Sequence, residues 1–187
     1  IATRGIDLSA GAVMAICGAV SAWGITQGYD LGSTLLMAIV AGLVCGLWNG
    51  ILVSFLGIQP IVATLILMVA GRGIAQLITE GAILTFNDPN LIFFGSGSLF
   101  TLPMPVVIWI VTGLLITWIV RRTALGMLIE SVGINLRAST LAGINSRVLL
   151  IAVYVTSGFC AALAGIIAAA DIRGADANNA GLWLELD

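Results

Sequence analysis

Five long apolar runs contain a single formal charge between them. They are Leu8 to Ile25, Leu31 to Leu56, Ile58 to Thr79, Leu102 to Val120 and Val148 to Ala170, and the charge is Arg72. A helix needs roughly 20 residues to cross a hydrocarbon layer about 30 Å thick, and each run approaches or exceeds that length. Inside lipid every backbone donor and acceptor must be satisfied by the segment or by a closed barrel, and a barrel would alternate apolar and polar residues. No such alternation occurs here. The chain is therefore expected to be all-α, a polytopic transmembrane helix bundle with about five spans in one domain over residues 1–187. With 60% hydrophobic and 9% charged residues, it is far from the roughly 25% charge of a soluble domain. The second run, about 39 Å long as a helix, must tilt, kink or protrude.

Arginine fixes the expected orientation, because Lys and Arg near span ends stay on the cytoplasmic side. There is no lysine. If the loop 121–147 is cytoplasmic, Arg4, Arg121, Arg122, Arg137 and Arg147 all lie inside and only Arg173 lies outside. The Gly57 turn then falls inside, and the exterior segments carry Asp30, Glu80, Asp88, Asp171, Asp176, Glu185 and Asp187.

Histidine is absent, so imidazole metal sites and histidine acid–base chemistry are excluded. Without lysine there is no Walker A loop, and any nucleotide hydrolysis must come from another chain. Cys17, Cys45 and Cys160 lie within spans at a spacing that offers no metal site, and no disulfide is expected. No convergent set of nucleophile, base and metal ligands marks an enzyme. The chain begins at Ile1 and ends in Leu-Glu-Leu-Asp, which reads as part of a longer protein. Leu8 to Ile25 lacks a cleavage site followed by a soluble domain and is expected to be a permanent span.

Gly42, Gly46 and Gly50 form a row on one face of the second span, and Ser157, Ala161 and Gly165 form another on the last. Such rows let backbones approach closely, and these are expected to need helices beyond the chain. Arg72 lies near the middle of its span, where insertion costs about 2.5 to 3.5 kcal/mol. Gln76, Thr79 and Glu80 follow it on one helical face, a candidate lining for an aqueous path, although an arginine bonded to neighbouring carbonyls would be purely structural. Trp48 and Asn49 offer an aromatic plane and an amide, a pair suited to a sugar ring, while an amide between helices also serves as a plain interhelical hydrogen bond. Pro60 marks a helix start. Asn87 to Asn90 and Gly95 to Ser98 read as turns around apolar Leu91 to Phe94, in a loop that lies against the membrane or receives a partner. The stretch Glu130 to Gly143 fits one short amphipathic helix, either a plug for a soluble partner or a plain connector.

The segment Gly5-Ile6-Asp7-Leu8-Ser9-Ala10-Gly11 resembles the Gly-Gly-Ile-Asp-Leu-Ser motif of permease subunits of bacterial ABC importers for ribose, galactose and related monosaccharides. Further segments resemble that family in order: Gly46-Leu47-Trp48-Asn49-Gly50, Gly57 through Pro60 to Leu65, Gly71-Arg72-Gly73, Thr123 to Met127, Gly133 to Ile144 and Ser157 to Gly165. Ala70 to Thr79 and Ala169 to Asp187 are most similar to galactofuranose-importing members. Arg4 replaces the first glycine of the opening motif, and Ile61 stands where phenylalanine is common.

The resemblance implies a permease subunit in the bacterial inner membrane that translocates a monosaccharide, with galactofuranose first and ribose or galactose as alternatives. It implies two ATP-binding cassette subunits, a periplasmic sugar-binding protein and a second permease, identical or homologous, within membrane lipid and without nucleic acid, metal or cofactor. Trp48, Asn49, Thr64, Arg72 and Gln76 are the expected substrate path. Asn135 to Gly143 would be the coupling helix, with Glu130, Asn135, Arg137, Ala138 and Gly143 facing the ATPase. An ion-coupled carrier would be expected to bury acidic groups in discontinuous helices, and none is visible in the spans. A non-transporting membrane subunit would share the glycine rows and differ in binding no ATPase.

Overall fold

A computed structural model of the chain describes residues 6–99, 101–176 and 180, with the side chains of Leu136 and Arg137 left aside. Arg4 and Gly5 of the opening motif, the Arg137 side chain, and Glu185 and Asp187 lie outside the described residues. The fold is the all-α membrane bundle that the sequence predicts. Its elements are α1 (Ala10–Thr26), α2 (Leu31–Ser54), α3 (Pro60–Ile78), β1 (Leu84–Thr85), α4 (Pro89–Ser96), β2 (Ser98–Leu99), β3 (Leu102–Pro103), α5 (Met104–Arg122), α6 (Ala124–Ile134), α7 (Leu136–Leu141), α8 (Ser146–Asp171) and β4 (Gly174–Ala175). Helices α2, α3, α5 and α8 are long and apolar enough to cross a membrane, and α1, at 17 residues, is slightly shorter.

Helix α1 is the centre of the bundle. Its sequence is dominated by Ala and Gly, and eleven of its residues are buried, which lets α2, α3 and α8 close around it on several sides. A helix apolar on every face belongs in a core. The glycine row of α2 packs against α8 at Ile151, Tyr154, Gly158 and Ala162. A β-carbon on Gly42 would lie 2.6 Å from the Ala162 β-carbon, and one on Gly50 would lie 2.9 Å from the Ile151 α-carbon. Gly46 abuts the Tyr154 carbonyl and Gly158 abuts the Gly42 carbonyl. The expectation that these rows need helices outside the chain is thus corrected, because α8 fills the row on α2 and Gly165 of the other row abuts the Met14 carbonyl of α1.

Turns between the helices follow their local chemistry. Gly28 (φ 82) ends the α1–α2 turn, where the Asp30 carboxylate accepts from Gly32 N–H at 3.0 Å and caps α2. Gly57 (φ 67) makes the α2–α3 turn, and Pro60 occupies the first turn of α3. The segment read as two turns around Leu91 to Phe94 is instead helix α4. Asp88 caps it, accepting from Asn90 and Leu91 N–H at 2.8 and 3.1 Å, and Pro89 starts it. Leu91 is fully buried, and Gly95 packs on the α8 backbone at Ala170 and Asp171. Beside it β1 pairs antiparallel with β4, Leu84 opposite Ala175, clasping the end of α3 to the end of α8. Helix α5 has no buried residue and stands from α8 across an apolar cleft of about 280 Å³.

Candidate functional site

At the end of the bundle where α2 finishes and α3 and α8 begin, the residues before α1 form a polar layer with three helices. The Asp7 carboxylate accepts from the Ser9 N–H at 3.0 Å and from the Ser9 hydroxyl at 2.6 Å. Its other oxygen accepts from the Ser157 hydroxyl of α8 at 2.7 Å. The Asn49 amide of α2 donates to the Ser9 hydroxyl at 2.8 Å, and the Thr64 hydroxyl of α3 lies 3.4 Å from the Ile6 carbonyl. Ser9, Asn49 and Thr64 are almost wholly buried. Asp–X–Ser is a local i to i+2 hydrogen-bonding pattern that bends the chain just before a helix. Here it turns the entry of α1 into a hub for α2 and α8. Asn49 Oδ1 in the layer, and the Tyr154 hydroxyl on α8, are buried without a hydrogen-bond partner among the described residues.

The structure separates the five residues expected on the substrate path. Asn49 and Thr64 belong to the buried layer, where Thr64 also donates to the Pro60 carbonyl of its own helix at 3.0 Å. Trp48, one residue from Asn49, is 53% exposed on the outside of α2, so the aromatic plane and the amide do not converge. Arg72 and Gln76 lie two to three turns further along α3. Arg72 is half-buried and donates to the Ala180 carbonyl at 3.3 Å, and Gln76 is exposed. Thr79 is buried beyond the last turn of α3, while Glu80 (φ 53) has left the helix, so the expected four-residue face is shortened to Arg72 and Gln76. The hydrogen bonds that join Asp7, Ser9 and Ser157 are not evident from the sequence pattern. The Asp–X–Ser spacing and the hydroxyl within the small-residue row of α8 were the available signals.

The arginine-bearing loop holds two helices where one was expected. Gly126 lets α6 fold back against the Val120 carbonyl, and Asn135 breaks the chain before α7. The Asn135 side chain accepts from the Ala138 N–H at 3.1 Å, and the Ser139 hydroxyl donates to the Asn135 carbonyl at 2.9 Å. Gly143 (φ 82) provides the left-handed turn after α7. Glu130, Asn135, Ala138 and Gly143 are exposed, as are the apolar Met127, Ile134 and Leu141. Beside them Phe55, Thr140, Asn145, Ser146, Arg147 and Val148 line a cleft of about 360 Å³, in which the Arg147 guanidinium sits 5.6 Å from the centre of the Phe55 ring.

The described residues thus form a membrane bundle with a buried polar layer at one end. Residues 1–187 match the family described as branched-chain amino acid transport system / permease component, and the chain belongs to that family. It is 64% identical over its whole length to the galactofuranose transporter permease protein YtfT of Escherichia coli (strain K12), covering 55% of that protein. It is 42% identical over its whole length to the fructose import permease protein FruF of Bifidobacterium longum (strain NCC 2705), covering 53% of it. It is also 34% identical over its whole length to the ribose import permease protein RbsC of Haemophilus influenzae (strain ATCC 51907 / DSM 11121 / KW20 / Rd), covering 59%. The chain thus spans somewhat more than half the length of these relatives. No solved structure matches it.

Proposed function

We propose that this chain is part of the permease subunit of a bacterial ABC importer that carries a monosaccharide, galactofuranose, across the inner membrane. The observation that carries this reading is the 64% identity, unbroken over all 187 residues, to a permease named for galactofuranose transport. The family description refers to branched-chain amino acids, whereas the three relatives above are named for sugars, which favours a sugar. ATP is hydrolysed by a separate pair of cassette subunits, a periplasmic binding protein delivers the sugar, and a second permease completes the path. Exposed Ile134 and Leu141, at the ends of α6 and α7, support a cytoplasmic docking surface for the ATPase in the loop 121–147, because apolar side chains beside arginines suit a soluble partner better than water. In this reading Glu130, Asn135, Arg137, Ala138 and Gly143 belong to that coupling surface.

For the sugar path, Arg72 and Gln76 are the better candidates. They share a flank of α3 that the bundle leaves partly open, while Asn49 and Thr64 are sealed in the polar layer and Trp48 faces outward. Weak contacts suffice there, since recognition rests mainly with the binding protein.

The reading is tested with the full-length protein and its ATPase in nanodiscs, by adding binding protein loaded with galactofuranose, ribose, fructose or galactose. Stimulation of ATP hydrolysis by the galactofuranose-loaded form above the others is the expected result. Equal stimulation by all four would leave only a sugar permease, and stimulation by none would overturn the importer reading.

A further inference from the structure

The cleft of about 360 Å³ at the arginine-bearing end of the bundle lies where α2 ends and α8 begins, and its size is within the range of about 300–1,000 Å³ usual for small-ligand sites. Phe55 forms one wall, and the Arg147 guanidinium sits 5.6 Å from the centre of its ring. A cation–π contact consumes none of the N–H donors of the guanidinium, and no carboxylate lines the cleft. Ser146 also opens on it. That residue is only 7% exposed, and its hydroxyl has no hydrogen-bond partner among the described residues. A buried hydroxyl left unpaired is costly, and a ligand that bonds it removes the cost. The sign of that ligand follows from Arg147, which stands in the first turn of α8, where the positive end of the helix dipole disfavours a cation. The turn holds no acidic residue, and the side chain of the N-cap Asn145 makes no capping bond. An anion in the cleft would answer the guanidinium and the helix end together. The mouth of the cleft is apolar, with Phe55, Leu56 and Val148 exposed at the ends of two helices long and apolar enough to cross a membrane.

We infer that this cleft binds the phosphate of an anionic phospholipid. Arg147 pairs with the phosphate oxygens, the Ser146 hydroxyl donates to one of them, and the acyl chains lie along Phe55, Leu56 and Val148. Arginine suits the task because its planar fork meets a phosphate through two parallel hydrogen bonds. Basic pockets between the ends of membrane helices are a general mode of holding anionic headgroups. A lipid seated there braces the start of α8 against the end of α2. The chemistry of the cleft carries this inference whichever sugar the protein imports, and only the assignment to the cytoplasmic leaflet rests on the importer reading.

The test uses the full-length protein in a neutral detergent, with native mass spectrometry counting bound lipid as phosphatidylglycerol or phosphatidylcholine of the same acyl chains is added. Wild type is expected to bind phosphatidylglycerol about tenfold more tightly than phosphatidylcholine, the factor for one hydrogen bond between charged groups. Arg147→Gln should abolish that preference and Ser146→Ala should reduce it roughly threefold, while Arg122→Gln, on α5 and outside the cleft, should leave it intact. Thermal midpoints of all three variants without added lipid should match wild type, and Ser146→Ala carries the test if Arg147→Gln does not fold. Equal binding of the two lipids by wild type, or equal losses in Arg147→Gln and Arg122→Gln, would overturn the inference. So would displacement of both lipids alike by millimolar inorganic phosphate, which marks a free-phosphate site. An intact lipid preference in Arg147→Gln, with weaker retention of the ATPase on size exclusion, would assign the arginine to the ATPase and overturn the lipid site. The expected lipid preference in a protein that imports no sugar would instead contradict the importer reading alone.

Discussion

Asp7 is the residue on which the polar layer depends. It lies just outside the first apolar run, where the sequence shows it only as part of a motif, and its partner Ser157 is 150 positions away. Asp7→Ala would strip the acceptor from the Ser9 N–H, the Ser9 hydroxyl and the Ser157 hydroxyl together. A loss of about 3 kcal/mol is expected, because several buried donors are then unpaired, and a thermal unfolding scan of the purified full-length protein should show it as a lower midpoint. Asp7→Asn, which keeps an acceptor oxygen, should lose clearly less. Arg72, half-buried on α3, donates to the Ala180 carbonyl. Arg72→Ala is expected to assemble normally and to lower sugar uptake several-fold, and uptake equal to wild type would remove Arg72 from the path.

Among the elements, the α2–α8 pair tolerates little added volume. Gly158→Leu would drive a side chain into the Gly42 carbonyl, and the folded fraction by fluorescence-detected size exclusion should collapse. Gly73→Ala on α3 is the control: nothing lies within 4 Å of a β-carbon there, so folding and uptake should match wild type. These helices were legible in the sequence because lipid demands a full-length apolar run and because arginine, glycine and proline punctuate it. The run 58–79 became Pro60–Ile78, and the run 148–170 became Ser146–Asp171. Helix α4 was hidden because glycine and serine next to it mimic a loop, although Asp88-Pro89 is a helix-start pair. The β1–β4 clasp joins residues about 90 positions apart through two-residue strands, too short for any periodicity to register.

For the whole molecule, hydropathy gave the class and the order of motifs gave the family, but the site was legible only in part. Asn49 and Thr64 were visible as polar residues in apolar spans, yet sequence spacing says nothing about which neighbour an amide meets, and both turn into the layer around Asp7. The arginine-bearing end is the expected ATPase surface, so Arg137→Glu in the full-length protein should leave ATP hydrolysis running while uptake falls, measured as sugar imported per ATP consumed. The central claim, ATP-driven import of galactofuranose, is tested most directly with labelled sugar in proteoliposomes containing the full-length permease, its ATPase and its binding protein. ATP-dependent accumulation of galactofuranose, in preference to ribose or fructose, is the predicted result. Hydrolysis of ATP by that assembly with no accumulation of any sugar would contradict the account.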